Sequence, residues 1–241
     1  MERIQKIIAN SGMCSRRKAE RLIEKGLVTV NGQKAKLGQK ASYTDNIIVE
    51  NKLLNKKEEK VYFLLNKPRG VVSTVTDDKE RKTITSLINT DKRIYPIGRL
   101  DYDTTGAIIL TNDGELANIL MHPKNRIERS YYVKVEGFIT KEELNRFKHP
   151  ILVENKTCNI EYCKIKKYDK KTNTSYVLMI LKEGHNHEVK NIFKAINHPV
   201  IKLKRESFAE LRVDNLKSGE YRKLLPKEIK KLYSYKKEER K

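Results

Sequence analysis

Ala107-Ile-Ile-Leu110 is an apolar run of the right length for one buried strand, and the residues around it fix both of its ends. Thr111-Asn-Asp-Gly114 turns the chain on one side, and a loop bounded by Gly98 and Gly106 feeds the strand on the other. A fold that sinks this strand must leave the loop, Arg99-Leu-Asp-Tyr-Asp-Thr-Thr105, at the strand's edge. Its glycines let the backbone bend tightly and approach a ligand. The carboxylates of Asp101 and Asp103 are thereby candidates for chemistry, although Asx and ST turns alone would also account for aspartate and threonine in such a loop.

The 241 residues suit one ordinary domain and a small one. With 52 Lys and Arg against 31 Asp and Glu, the net charge is +21 and is spread along the whole chain, which points to a polyanionic partner. No apolar run approaches a membrane span, and Met1-Glu-Arg-Ile-Gln-Lys6 has no signal-like apolar core, so a cytoplasmic protein without a membrane partner is expected. Cys14, Cys158 and Cys163 form no Cys-x-x-Cys pair and predict neither a disulfide framework nor a zinc site. His185 and His187 alternate, which on a strand would place both on one face; no third ligand stands nearby in sequence, and no metal is expected.

Residues 1–60 read as a small basic domain, with a linker from about residue 51 where charge replaces periodicity. Ile4, Ile7 and Ile8 give one short helix, and Ser15 caps a second. There Ala19, Leu22 and Ile23 face inward and leave Arg16, Arg17, Lys18 and Arg21 outside. Gly26 stops the helix, Val28-Thr-Val30 leads into the hairpin signal Asn31-Gly32, and Ile47–Glu50 closes the unit.

Residues 61–232 alternate strands and helices, and 233–241 read as a basic tail frayed from Tyr235. Val61–Leu65 is a short buried strand ending at Lys67-Pro-Arg-Gly70, and Val71–Thr74 resumes in strand form. Glu115–Met121 is helical, and in Ser130–Gly137 the period of two sets Tyr131, Val133 and Val135 on one face. Thr140 with Glu143 forms a capping box. Strands at about 157–167 and 174–182 make a hairpin, and Val189, Ile192, Phe193 and Ile196 stripe a helix with Lys190 near its start. Pro199–Glu206 and Phe208–Val213 close the sheet. An α+β fold with a mixed, mostly antiparallel sheet results.

Two resemblances give these segments meaning. Ser15-Arg-Arg-Lys-Ala-Glu20 and Val28-Thr-Val-Asn-Gly32 resemble the RNA-binding domain named after ribosomal protein S4. Arg99-Leu-Asp101 with Thr104-Thr-Gly106, the Lys67-Pro-x-Gly70 turn, Arg129-x-Tyr131-x-Val133 and Glu183-Gly-x-x-x-Glu-Val-Lys190 resemble, in order, the motifs of the RsuA/RluB family of rRNA pseudouridine synthases. The first implies RNA binding through Arg16, Arg17, Lys18 and Arg21. The second implies a pseudouridine synthase domain in which Asp101, Tyr131 and Lys190 are catalytic and Arg99, Lys67 and Leu203 bind substrate. Arg99 would replace the flipped uridine in the RNA stack, Lys190 would pair with Asp101, and neither metal nor cofactor would be needed. Glu188 departs from the family's usual glutamine, and Asn191 from a frequent second arginine.

Met121-His-Pro123 and Glu128-Arg-Ser-Tyr131 lean toward RluB-type enzymes, which implies large-subunit rRNA; the small-subunit rRNA is the alternative. The partner is expected to be ribosomal RNA or a ribosome assembly intermediate, met by a monomer. A non-catalytic rRNA-binding assembly factor is the reading from another class, and Asp101, Tyr131 and Lys190 together argue against it. A metal-dependent nuclease would need clustered carboxylates that the sequence lacks.

Overall fold

The computed structural model describes residues 1–54, 58–154 and 156–237. The chain forms two compact units, one of Met1–Val61 with Thr90–Ile94 and Asn112–Gly114, the other of the remaining residues.

In the first unit, α1 (Ile4–Asn10) and α2 (Arg16–Glu24) pack through Ile4, Ile7, Ile8, Ala19, Leu22 and Ile23. The Ser15 hydroxyl accepts the Lys18 N–H at 3.2 Å, satisfying a donor that the helix start leaves free. β1 (Val28–Val30) and β2 (Gln33–Lys34) form a hairpin through Asn31 and Gly32, whose φ values of +51° and +83° are those of a type I′ turn. β3 (Ile47–Val49) pairs with β1, and β4 (Lys52–Leu53) with β3. The stretch expected as a linker from about residue 51 therefore begins as a strand; its residues 55–57 lie outside the described residues.

The second unit is built on β5 (Tyr62–Lys67), β6 (Thr105–Thr111), β7 (Arg129–Glu136), β8 (Ile160–Asp169), β9 (Thr174–Leu181), β10 (Val200–Phe208) and β11 (Tyr221–Lys223). They lie in the order β8-β9-β7-β10-β6-β5-β11, with Leu211–Arg212 and Tyr95–Pro96 added beside β10 and β6. Neighbours run antiparallel except β10 and β6, which pair in parallel at Lys204↔Thr105 and Arg205↔Gly106. That crossing requires glycine. A Cβ on Gly106 would lie 2.0 Å from the Arg205 carbonyl oxygen, and its φ is +108°.

Tyr131, Arg205 and Gly106 are neighbours across adjacent strands and so share a sheet face. On that face Val133, Val135, Val177 and Met179 pack against Phe147, just after α4 (Lys141–Asn145), and against Val189, Ile192, Phe193 and Ile196 of α5 (Glu188–Lys194) and the turn after it. Ala107 and Ile109, out of phase with Gly106, point to the other face. There α3 (Gly114–Met121) and α6 (Pro226–Tyr233) pack over Leu64 through Leu116, Leu120 and Leu232.

Several boundaries differ from the sequence reading. Val71–Thr74 is not a strand; Val72 makes only an isolated bridge to Thr83, because Ser73 is turned toward Leu100. The hairpin's first strand begins at Ile160, since Lys156–Cys158 pairs with Ile151–Val153. Two strands stand where two were expected, Val200–Phe208 and Leu211–Arg212, but the chain turns between them at Ala209 and Glu210, both at positive φ, and not at Ser207. Tyr235, placed in a frayed tail, donates its hydroxyl to Glu210 at 2.8 Å and packs on the core; residues 238–241 lie outside the described residues.

Candidate active site

The loop entering β6 is held from below by one buried cation. Lys67, at the end of β5, is fully buried and donates to the carbonyl oxygens of Pro68 (3.2 Å), Asp101 (2.9 Å) and Thr104 (2.8 Å). Burial pulls its pKa down to about 8, opposed by the carboxylates of Asp101 and Asp103. Ser73 closes the loop from the side: its hydroxyl donates to the Leu100 carbonyl at 2.7 Å and accepts the Leu100 N–H at 3.1 Å. The Gly70 N–H donates to the Tyr102 carbonyl at 2.9 Å. Turn chemistry and tertiary bonds together fix the backbone that carries Asp101.

The carboxylate of Asp101 lies 2.9 Å from the Lys190 amine and 3.4 Å from the His187 imidazole. Lys190 stands in the first turn of α5 and also bonds Asp103 at 2.8 Å. Burial would lower its pKa, but the two carboxylates prevail and raise it. Burial raises and Lys190 lowers the pKa of Asp103, and with help from Arg69 the net shift is downward. His187 holds a left-handed backbone, φ +51°, at the helix start, which turns its ring back toward Asp101.

An open cleft of about 460 Å³ runs past these groups, with Ser73, Arg99, Asp101, Asp103, His187 and Lys190 in its wall. That volume is within the range of small-ligand sites. A recess of about 70 Å³ shares Asp101 and Lys190 with the cleft and is also walled by Tyr131, Leu203 and Val189. Behind Tyr131 sits Arg205, 3% exposed. Its Nε donates to the Ala107 carbonyl at 2.7 Å, its guanidinium lies 4.8 Å from the Phe208 ring centre, and it faces the Tyr131 phenol. Burial lowers the Arg205 pKa against the pull of Tyr131.

The family comparison decides what the arrangement belongs to. A family model described as RNA pseudouridylate synthase matches residues 61–195, and the S4 domain model matches residues 2–47. The chain belongs to the RNA pseudouridylate synthase family. It is 50% identical to the "Ribosomal large subunit pseudouridine synthase B" of Bacillus subtilis over 96% of both chains. It is 36% identical to the "Dual-specificity RNA pseudouridine synthase RluF" of Salmonella typhi over 96% of this chain and 78% of that one. A solved structure titled "Crystal structure of pseudouridylate synthase" superposes with a TM-score of 0.67 at 30% identity, covering 96% of this chain and all of the other. As a pseudouridylate synthase it is an isomerase, and its N-terminal unit carries an S4 RNA-binding domain.

In this synthase the structure brings Asp101, Lys190, Tyr131, Leu203 and Arg99 to one site. Arg99 is exposed at the rim, whereas Leu203 is 8% exposed within the recess. Arg16, Arg17, Lys18 and Arg21 are all exposed on α2. Lys67, expected to bind substrate, is buried beneath the loop. Its three donors are engaged by carbonyls beneath the loop, which makes it a positioning residue.

Nor do His185 and His187 share a strand face, because they lie in a turn. His187 reaches Asp101, while His185 clusters with Glu183 and Glu188, whose ligand atoms lie within 4.8 Å of one another. That cluster is already bonded within the protein: Glu188 accepts the His185 N–H at 3.0 Å, and Glu183 accepts from Asn159 at 2.9 Å. Glu188 is buried, and burial raises its pKa, so an acid at the family's glutamine position is pushed toward the neutral form.

Sequence reasoning missed Arg205, His187 and Ser73. Period two along β10 puts Arg205 in phase with Leu203, and that was the available signal. Nothing local could show that Ser73 meets Leu100.

Proposed function

We propose that the protein converts uridine to pseudouridine in large-subunit ribosomal RNA, free or in an assembly particle, with Asp101 as the catalytic carboxylate. The observation that carries this reading is the Asp101 carboxylate itself, ion-paired to Lys190 at 2.9 Å in the wall shared by an open cleft and the Tyr131 recess. The relative named for the large subunit supports that choice of substrate. The reading takes the protein to act as a monomer in the cytoplasm.

The reaction breaks the bond from C1′ to N1, turns the uracil, and joins C1′ to C5. The C5 proton is lost and N1 gains one, so no atom is added or removed. Asp101 acts either on C1′ as a nucleophile or on the 2′ proton as a base. Lys190 keeps the carboxylate charged and oriented. A uridine in a helix is inaccessible until it is flipped, which costs about a few kcal/mol. Arg99, exposed beside the cleft, takes the vacated place in the stack, and Tyr131 lies against the base as a stacking surface or a proton acceptor.

Carbodiimide mapping of pseudouridine by reverse transcription, on both rRNAs with wild type and Asp101→Asn, tests the reading. The expected result is a stop in large-subunit rRNA that the variant abolishes. A stop in small-subunit rRNA alone would replace the substrate and keep the chemistry. Tight rRNA binding with no stop would sink the enzymatic reading in favour of an assembly factor.

A further inference from the structure

The sheet face opposite Tyr131 is covered by α3 and α6 over β5 and β6 and at the end of β10, where Phe208 joins their core. Across β8 and β9, and along β7 and β10 beyond Ser130 and Ser207, the described residues put no buried layer on that face: Tyr132, Lys134, Tyr176, Leu178 and Lys204 are half-buried, and Lys164, Lys167 and Lys202 are exposed. The strand register arranges these residues in two parallel rows. Lys164 pairs with Leu178, which pairs with Tyr132, which pairs with Lys204. One step along, Lys167 pairs with Tyr176, Tyr176 with Lys134, and Lys134 with Lys202. Each row thus ends in a lysine at both edges and holds a tyrosine within.

The pattern is more than scattered surface charge. The rings of Tyr132 and Tyr176 lie 5.7 Å apart, and the ammonium groups of Lys167 and Lys134 stand 4.5 Å and 5.3 Å from the Tyr176 ring centre. These cation–π contacts hold flexible lysines in place on a platform whose strands are about 4.8 Å apart. Two acids at its margin are engaged, Glu206 pairing with Arg212 at 3.7 Å and Asp169 accepting the Lys171 and Thr172 N–H groups, while Glu136 lies beyond the second row at the end of β7. Five lysines therefore face solvent around two aromatic rings, complementary to a chain of phosphates with unsaturated rings between them.

We infer that this face is a second RNA-binding surface, on the opposite side of the sheet from the cleft, which holds a segment of the substrate RNA distant from the modified uridine. It rests on the proposed RNA substrate. Its chemistry is that of nonspecific RNA binding: phosphate contacts from Lys134, Lys164, Lys167, Lys202 and Lys204, and base stacking on Tyr132 and Tyr176.

The test is the affinity of the full chain for ribosomal RNA across a range of KCl concentrations, for wild type and K164Q/K167Q/K202Q/K204Q. Each phosphate contact contributes about 0.7–0.9 to the slope of log affinity against log salt, so a loss of about 3 in slope is expected, with at least a tenfold weaker Kd at physiological salt. The matching Lys→Arg variant should restore both, and circular dichroism with thermal melting shows whether each variant folds. A single Tyr176→Ala change, which leaves the charge intact, should weaken binding severalfold without altering the slope. Unchanged slope and affinity in a folded glutamine variant would overturn the surface while leaving the proposed function standing. Loss of binding only to ribosomal particles, with naked rRNA bound as by wild type, would mean a protein occupant and overturn the RNA assignment. A wild type that neither binds nor modifies rRNA would remove the proposed function itself.

Discussion

Helix α2 and the floor of the candidate active site use positive charge in opposite ways. On α2 of the N-terminal unit, Arg16, Arg17, Lys18 and Arg21 are exposed on a helix whose stability comes from Ala19, Leu22 and Ile23. In the catalytic unit Lys67 and Arg205 are buried and bonded to backbone carbonyls. Exposed cations interact with RNA through a screened field and act nearly independently, so their effects are small and salt-sensitive. A buried cation that satisfies several carbonyls holds a backbone in one shape, and removing it leaves buried polar groups unsatisfied. Exposed charge is therefore expected to set affinity, and buried charge to set geometry.

The sharpest break with that comparison is expected at the proposed catalytic carboxylate. Asp101→Asn is expected to lower kcat by about 10³-fold or more with RNA binding retained, read by single-turnover pseudouridine formation. Next comes the crossing beneath it. Gly106→Ala would force a Cβ onto the Arg205 carbonyl and should destabilise the fold by about 3–5 kcal/mol, seen as a lower urea midpoint. Lys67→Met should cost about 1–3 kcal/mol for each carbonyl left bare and reduce kcat more than it raises KM. An unchanged kcat would return Lys67 to a purely structural role.

A pH titration sharpens the same point. The Lys67 pKa is near 8 when folded against 10.5 ordinarily, so the unfolded chain binds the extra proton between those values. From this group stability rises across pH 8 to 10.5 and is flat below. Activity should do the reverse, falling as pH passes about 8, because a neutral amine has two N–H donors for three carbonyls. A rate profile flat to pH 9.5 would show that the loop does not depend on the Lys67 charge. The smallest effect is expected on α2: Arg17→Ala should weaken RNA affinity a fewfold, reduce the salt slope by about 0.7–0.9, and leave the thermal midpoint unmoved.

The helices of both units were legible wherever a cap or an apolar stripe marked them, as at Ser15, at Thr140 and along Val189 to Ile196. Strand ends were less so. Lys156–Cys158 has the composition to continue into Ile160, and its pairing with Ile151–Val153 depends on a neighbour, not on its own pattern. Asp101, Lys190 and Tyr131 could be singled out because their motifs are local, although residues 101 and 190 meet only in the folded chain. Lys67 was located by its motif, but its place beneath the loop was not legible, since a lysine's burial is invisible in a lysine-rich sequence.

What the sequence determined alone was set by short-range physics: the buried run Ala107–Leu110, the glycines that admit a tight loop, the type I′ turn at Asn31-Gly32, and the alternation that separates Tyr131 from Tyr132. What the tertiary structure decided was set by contacts between distant segments. The parallel pairing of β10 with β6 brings Arg205 against Gly106 and behind Tyr131, and the turn before α5 aims His187 and Lys190 at Asp101. Local propensity fixes which way a side chain points from its own strand or helix. Which charge it then faces, and whether water can reach it, follows only from the packing of the whole sheet.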